Sequence, residues 1–360
     1  MTDLASSLTG HPGLQPGPVT FQGRRLRVMQ VMAGAREGGA ETFFVSLVLA
    51  LRRAGLDQLV VIRRNPTRSM ALRQGGIEPV ELRFGRWFDF RTVPGLRRQA
   101  RIYRPQVVMT WLNRASGAFP RGDFLRMARL GGFYDLKCYR RCDHLIGITP
   151  GLVEHLVAQG WPRARAHYLP NFAAVGEAQP VAREPLDTPA EAPLLLALGR
   201  LHRAKAIDVL LQALTLETRP YLWIAGDGPL RAELDALARK LGVAERVRFL
   251  GWRDDMPALL AAADTLACPS RIEPLGNVII EAWAHGVAVV AADAEGPRQL
   301  IEDGHNGLLV PREDAPALAA AIRAAGSPAA LVEGGKASFA ASYTEETVVG
   351  EYLALLEKLA

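Results

Sequence analysis

Short apolar runs alternate with helical periodicity along most of the chain. Residues 26–32 are apolar and β-prone, the glycine-rich run from Gly34 to Glu41 follows, and an amphipathic pattern continues through Arg53. That order predicts a strand, a glycine loop and a helix. Residues 59–62 and 106–111 read as further strands, with helical patterns between them. Short, wholly apolar strands alternating with helices imply a parallel sheet covered on both faces. From 176 to 193 the pattern stops: GEAQPVAREPLDTPAEAP has four prolines and little apolar content. The alternation then restarts, with strands at 194–198, 221–225, 247–250, 265–268 and 288–292 and helices at 206–215, 229–241, 256–262 and 276–285.

The expected architecture is α/β, with two Rossmann-like, doubly wound parallel-sheet domains facing a cleft. Residues 1–20 read as a frayed terminus, 21–178 as the N-terminal domain, 179–193 as a linker and 194–342 as the C-terminal domain. Residues 343–360 read as a helix whose stripe of Val348, Tyr352, Leu353, Leu355 and Leu356 packs back toward the N-terminal domain. Ligands of open α/β sheets bind at the carboxyl ends of the strands, so the loops there hold the candidate chemistry.

Composition narrows the class. A chain of 360 residues, 49% hydrophobic and 22% charged, suits two globular domains rather than a disordered chain. Cys138, Cys142 and Cys268 lack metal-ligand spacing and point to a reducing compartment. No apolar run reaches the roughly 20 residues of a membrane span, and the first residues do not read as a signal peptide. A cytoplasmic protein with at most peripheral membrane contact is expected. The net charge of +6 conceals an asymmetry: residues 1–178 carry 26 Lys and Arg against 12 Asp and Glu, and the rest 17 against 25. A basic N-terminal half suits an anionic membrane, an acidic substrate or simple solvation, and no aromatic-rich nucleic-acid-binding motif accompanies it.

The most informative segment runs from Pro269 to Glu281, PSRIEPLGNVIIE, between a strand and a helix. Gly276, Asn277 and Val278 fall at the helix start, where backbone N–H groups and the positive dipole end receive a diphosphate. Glu273 precedes the helix and Glu281 lies about one turn inside it, so two carboxylates can accept hydroxyl hydrogen bonds around one anion site. Two glutamates separated by seven residues, with Pro-Leu-Gly-Asn between them, resemble the hallmark of family 4 retaining glycosyltransferases, which are GT-B enzymes. Other segments agree with that family in order and spacing over nearly the whole chain.

The resemblance implies that Glu273 contacts the transferred sugar, that residues 276–278 hold the diphosphate and sugar, and that Glu281 holds the ribose hydroxyls. It also places Arg200 and Lys205, which follow the 194–198 strand, against the leaving diphosphate, as electrostatic catalysis without a metal. The family usually has Gly after that lysine, whereas this chain has Ala206. Gly38 and Gly39 resemble the N-terminal glycine loop whose backbone approaches the donor; alone, such a run also serves an ordinary strand-to-helix turn. The loop from Gly226 to Gly228 lacks dinucleotide-fingerprint spacing and reads as a tight turn, and Asp254-Asp255 reads as a helix start.

Where many relatives carry a cleft histidine, this chain has Trp111 and Asn113. Asn113 is a candidate for a sugar hydroxyl, and Trp111 for stacking on a sugar or for filling core. The cation- and aromatic-rich stretch 129–144 reads either as a helix packing its aromatics inward or, since it resembles that of bacterial lipopolysaccharide-core mannosyltransferases, as a segment for a glycolipid acceptor and an anionic membrane surface. The implied activity is front-face, retaining hexosyl transfer from GDP-mannose or a UDP-hexose to a glycolipid or saccharide. It implies no cofactor, no metal and no nucleic acid, at the inner face of the cytoplasmic membrane. The rival classes are a nucleotide-sugar epimerase on the same fold and a noncatalytic nucleotide-binding module.

Overall fold

A computed structural model of the chain describes residues 19–21, 24–36, 38–85, 89–176, 178–326 and 329–360. The chain divides into two compact units: one runs up to Asn171 and includes Glu345–Ala360, and the other is Phe172–Thr344. The reading of 1–20 as a frayed terminus lies almost wholly outside the described residues.

In the first unit, β1 (Thr20–Phe21) and β2 (Arg24–Arg25) form a small antiparallel pair ahead of the main sheet. That sheet comprises β3 (Arg27–Met32), β4 (Asp57–Arg63), β5 (Val80–Leu82), β6 (Val107–Trp111), β7 (Leu125–Leu130), β8 (His144–Gly147) and β9 (Ala166–Tyr168). All pair in parallel, in the order β5-β4-β3-β6-β7-β8-β9. The connecting helices are α1 (Gly39–Arg53), α2 (Pro66–Gln74), α3 (Thr92–Tyr103), α4 (Leu112–Ala118) and α5 (Pro150–Ala158). Helix starts follow local chemistry: Asn65 and Thr149 accept from Arg68 N and Leu152 N, each followed by a proline in the first turn. Met29, Val31, Val61, Leu96 and Val108 form one apolar cluster at the sheet.

The second unit repeats the plan with β10 (Leu194–Leu198), α6 (Ile207–Leu216), β11 (Tyr221–Ala225), α7 (Arg231–Lys240), β12 (Val247–Gly251), α8 (Met256–Ala262) and β13 (Thr265–Cys268). It continues through α9 (Asn277–Ala284), β14 (Ala288–Ala292), α10 (Pro297–Leu300), β15 (Leu308–Val310), α11 (Ala315–Ala324) and α12 (Ala329–Ser342). Its strand order is β12-β11-β10-β13-β14-β15, again parallel. These are two separate parallel-sheet α/β units, the GT-B architecture.

Two boundaries differ from the sequence reading. The division falls after Asn171, and residues 179–193, read as a linker, are strapped to the second unit. Val181 N donates to Ala258 O at 3.1 Å, Arg183 reaches the carbonyls of Ala190, Ala192 and Ala262, and Trp223 Nε1 donates to Thr188 Oγ1 at 2.9 Å. Polar side chains satisfy this segment's backbone, which hydrophobic periodicity does not register. The last helix, α13 (Glu345–Leu359), is part of the first unit, with Val348, Val349, Tyr352 and Leu356 buried and Leu353 and Leu355 only half-buried. Among the described residues no single helix is long and apolar enough to cross a membrane.

Candidate active site

In the second sheet the order reverses at β10, which is flanked by β11 and β13. Loops leaving neighbouring strands on either side of such a point diverge and open a crevice at the carboxyl ends. Here those loops are 199–206 and 269–276, and they bring Lys205 to Glu273 although the two lie 68 residues apart. Lys205 Nζ donates to Glu273 Oε2, which also accepts from Ser270 Oγ at 3.4 Å. Arg271 N and Ile272 N donate to Ala204 O at 2.8 and 3.2 Å, and Gly296 N donates to Glu273 O at 2.7 Å. The Arg271 guanidinium is bidentate to Asp208 at 2.8 and 2.6 Å. Backbone and ion-pair ties therefore hold the lysine and glutamate loops in register, a preorganisation that costs nothing at the moment of reaction.

Glycine is required at two points of this frame. Gly276 caps α9 at φ 94°, a left-handed conformation open to glycine without a Cβ penalty. The helix has no side-chain cap, so its positive end faces whatever ligand the loop receives. Gly199 has φ 127°, and a Cβ there would lie 3.1 Å from Lys205 Cε, so the missing side chain lets the lysine lie across the strand end.

The charges are coupled. Burial alone would lower the Lys205 ammonium, but the charge of Glu273, reinforced by their hydrogen bond and by Glu281, outweighs it and holds Lys205 above the usual lysine range. Burial pushes Glu281 up to about 6, with Lys205 opposing the shift and the Glu273 charge adding to it. The Glu281 side chain makes no hydrogen bond among the described residues. Burial also pushes Cys268 up to about 11, so this thiol stays protonated beneath the site. A permanent cation, two carboxylates and a helix N-terminus can together receive an anionic leaving group and a polyhydroxylated one. Arg200 is exposed and its side chain makes no hydrogen bond or ion pair with them, so the structure unites Lys205, Glu273, Glu281 and the 276–278 turn without tying Arg200 to them. Beneath them the Gly226–Gly228 turn is structural: Gly226 N donates to Gly251 O at 2.7 Å and Leu201 N to Asp227 O at 3.0 Å. Asp255 is engaged by Arg253, and no group of three or more His, Cys, Asp or Glu among the described residues could hold a metal.

The first sheet reverses at β3, between β4 and β6. Gly38 caps α1 and Gly39 is its first residue. Trp111, weighed between stacking on a sugar and filling core, is core: its indole Nε1 donates to Gln30 Oε1 at 3.0 Å and its ring meets Phe44 edge-on at 5.1 Å. Both ring and N–H are satisfied inside the protein, so neither is left for a ligand. Asn113 is exposed, and its Oδ1 accepts from the buried Tyr139 hydroxyl at 2.5 Å. Between them Leu112 has φ 62°, strain that a branched side chain tolerates only where the surroundings impose it, and which no sequence pattern announces.

The 129–144 stretch is also partly interior. Arg129 is 2% exposed, stacks 4.6 Å from the Phe43 centroid and 5.0 Å from Trp111, and donates to the Tyr352 hydroxyl at 2.6 Å and to Asn171. It fastens α13 to β7, a role the sequence did not reveal. Tyr139 is buried, while Phe133, Lys137, Arg140 and Arg141 remain exposed.

Two parallel-sheet α/β units carry a cation and carboxylates at a strand-order reversal, and the comparisons give the family. Residues 192–326 match the family described as Glycosyl transferases group 1, and residues 37–175 match Glycosyltransferase Family 4. The lipopolysaccharide core biosynthesis glycosyltransferase LpsE of Rhizobium meliloti (strain 1021) is 37% identical over 89% of this chain and 96% of its own length. LpsD of the same strain, with the same description, is 35% identical over 92% and 98%. The crystal structure of Anabaena HepE in complex with UDP and glucose superposes with a TM-score of 0.79 at 21% identity, covering 93% of this chain and all of that one. The chain belongs to glycosyltransferase family 4 and is a glycosyltransferase.

Proposed function

We propose that this enzyme moves a hexosyl group, mannose or glucose-like, from a nucleotide-diphosphate sugar to a glycolipid or saccharide acceptor of the lipopolysaccharide core or another envelope glycan, with retention. The carrying observation is the Lys205–Glu273 pair beside Glu281, whose side chain makes no hydrogen bond among the described residues, and the Gly276-capped start of α9. In this reading the helix start and Lys205, with Arg200, bear the charge that grows on the diphosphate as the anomeric C–O bond breaks. Glu273 holds the sugar and Glu281 the ribose diol. The acceptor oxygen bonds to the same face of the anomeric carbon while its proton passes to a diphosphate oxygen. This division of labour needs no metal. The names of the two Rhizobium relatives support a lipopolysaccharide core pathway, and the UDP and glucose in the HepE structure support a nucleotide-sugar donor.

The test is a thermal-shift screen of GDP-, UDP- and ADP-sugars, since binding to the native state raises its melting temperature by mass action. NMR of the product made with the stabilising donor then reads the anomeric configuration. An inverted product overturns the retaining mechanism, and donor turnover without an acceptor product favours an epimerase.

The peripheral membrane reading draws support from α3. Arg97, Arg98 and Arg101 are exposed on one face with Ile102, which is 64% exposed, and Phe90 just upstream is 79% exposed. None of these arginines makes an ion pair or side-chain hydrogen bond among the described residues, and Leu96 on the opposite face is buried. Arginines flanking exposed apolar groups suit an anionic bilayer surface, each contributing about 1 kcal/mol. Co-sedimentation with anionic vesicles should be lost in R97E/R98E/R101E and at 1 M salt, while activity on a soluble acceptor persists; unchanged sedimentation removes α3 from the reading.

A further inference from the structure

Between β3 and α1 the glycine loop already contains an anion, and it is the protein's own. Glu41, in the first turn of α1, is 8% exposed and turns back so that its Oε1 accepts from Ala35 N at 2.7 Å. The carboxylate fills the space that Gly34 and Gly38 leave open: a Cβ on Gly34 would collide with Oε1 and one on Gly38 with Oε2. Successive backbone N–H groups in such a turn form a concavity suited to a carboxylate or a phosphate oxygen. The side of the loop nearest α2 is held as well. Arg68, 5% exposed, donates from Nη2 to Ala35 O at 2.9 Å, and Asn65 Nδ2 donates to Arg36 O at 2.9 Å.

Arg68 stands out because its Nη1 is buried and has no hydrogen-bond partner among the described residues. Buried polar groups are almost always paired, and a buried guanidinium nitrogen all the more so. The natural partner is near: burial lowers Arg68 from its ordinary value, and the Glu41 charge is the first influence opposing that shift. Yet Glu41 and Arg68 do not form an ion pair here, because the carboxylate is spent on the loop. A guanidinium is planar and rigid, so Nη1 lies within one bond angle of the Nη2 that already touches the loop carbonyl.

We propose that Glu41 is a displaceable occupant of the glycine loop and that Arg68 is its receiver. A phosphate-bearing ligand takes the loop amides, and the Glu41 carboxylate moves to the open Nη1 of Arg68. The exchange trades one N–H acceptor for another and closes a buried ion pair, so the outgoing carboxylate is not left unpaired. The pair thus sets the loop's affinity for phosphate, as a competing internal ligand whose release is coupled to binding. The idea rests on the reading that this loop receives a phosphate-bearing ligand.

The test uses the full-length chain labelled with ¹⁵N-glycine, with inorganic pyrophosphate as probe and the Gly38 and Gly39 amide shifts as readout. This follows the loop itself, whatever else binds pyrophosphate. Glu41→Gln keeps the shape and an acceptor for Ala35 N while removing the competing charge, so the loop dissociation constant should fall about tenfold. Arg68→Met should raise it by a similar factor, and the double variant should bind like Glu41→Gln alone, because a neutral side chain needs no receiver. Equal or weaker binding by Glu41→Gln, with the amides still shifting, overturns the exchange and leaves Glu41 a fixed brace, with the loop reading intact. No shift at either amide up to saturating pyrophosphate removes the loop reading and the exchange with it. If Arg68→Met does not fold, Glu41→Gln decides the matter alone.

Discussion

The two sheets reverse at corresponding points, after β3 in one unit and after β10 in the other, and the side chains gathered there behave differently. At the β10 reversal the polar groups are left short of partners: the Glu281 side chain makes no hydrogen bond among the described residues, Arg200 is exposed, and Lys205 donates to Glu273. At β6, β7 and the start of α4, beside the first reversal, they are engaged from within: Trp111 on Gln30, the Asn113 carbonyl on Tyr139, Arg129 on Tyr352, Asn171 and two aromatic faces. Buried polar groups satisfied internally specify a fold, whereas those kept unsatisfied at a strand-end crevice are poised for a ligand. The exception in the first unit is the open nitrogen of Arg68.

The largest effect that would sharpen this contrast is on turnover. Lys205→Ala and Glu273→Ala should each lower kcat by roughly two to three orders of magnitude, the usual scale for one lost electrostatic stabiliser. Trp111→Phe, which keeps most of the ring packing, should stay within about threefold per folded molecule. Steady-state kinetics with the donor from the thermal-shift screen decides it, and a hundredfold loss in Trp111→Phe would break the comparison. EDTA should leave all the rates unchanged.

Stability should show the reverse ranking. Trp111→Ala removes a buried indole that also supports Arg129, and should cost about 3–5 kcal/mol in the first unit's denaturant transition. Lys205→Met should cost the second unit less, because the Glu273 carboxylate left behind, though buried, keeps the Ser270 hydroxyl as a donor. Equal losses would mean that the second site is as structural as the first.

A smaller effect depends on pH. Glu281 shifts from 4.5 to about 6, so its protonated form is favoured in the folded state. That stabilisation is complete below about pH 4.5 and is lost as pH rises through 6, a change of about 2 kcal/mol. Glu281→Gln should therefore raise the melting temperature of the ligand-free enzyme above pH 6, with a gain that fades toward pH 4.5. The same substitution should weaken donor binding at pH 7, since an amide accepts fewer hydroxyls than a carboxylate. Stability gained together with affinity lost would mark Glu281 as a residue held for its ligand.

What could be read in the sequence followed from periodicity and spacing. The seven residues between Glu273 and Glu281, and the glycine before the helix, already imply a loop, a cap and a first helical turn, and those are what the second unit builds. Partner choice could not be read that way. Trp111 has the same apolar neighbours whether it faces a sugar or Gln30, and Arg129 reads as a surface cation until Tyr352 arrives from 223 residues away. The proline-rich 179–193 stretch looks like a tether because its anchors, Arg183 and Trp223, act through hydrogen bonds rather than through hydrophobic pattern.

The smallest expected effect concerns Ala206, where the family usually has glycine. The departure at first looks like one added methyl, but the backbone there is left-handed, at φ 51° and ψ 37°, between the Arg203–Lys205 turn and α6. An L-residue in that region pays roughly 1–2 kcal/mol. Two terms oppose it. The buried methyl contributes about 0.8 kcal/mol, and alanine restricts the unfolded chain by a further 0.4–1 kcal/mol or so relative to glycine. The sums nearly cancel, which explains why alanine is tolerated one residue from Lys205. Ala206→Gly should change stability by no more than about 0.5 kcal/mol, measured by urea denaturation, and leave kcat within about twofold because the backbone path that aims Lys205 is unchanged. Ala206→Val should not be neutral, since a β-branched side chain at positive φ is a genuine outlier. If Ala206→Gly instead lowers kcat tenfold while stability holds, the methyl itself positions Lys205, and the second unit's site relies on packing in the way that the first unit's residues do.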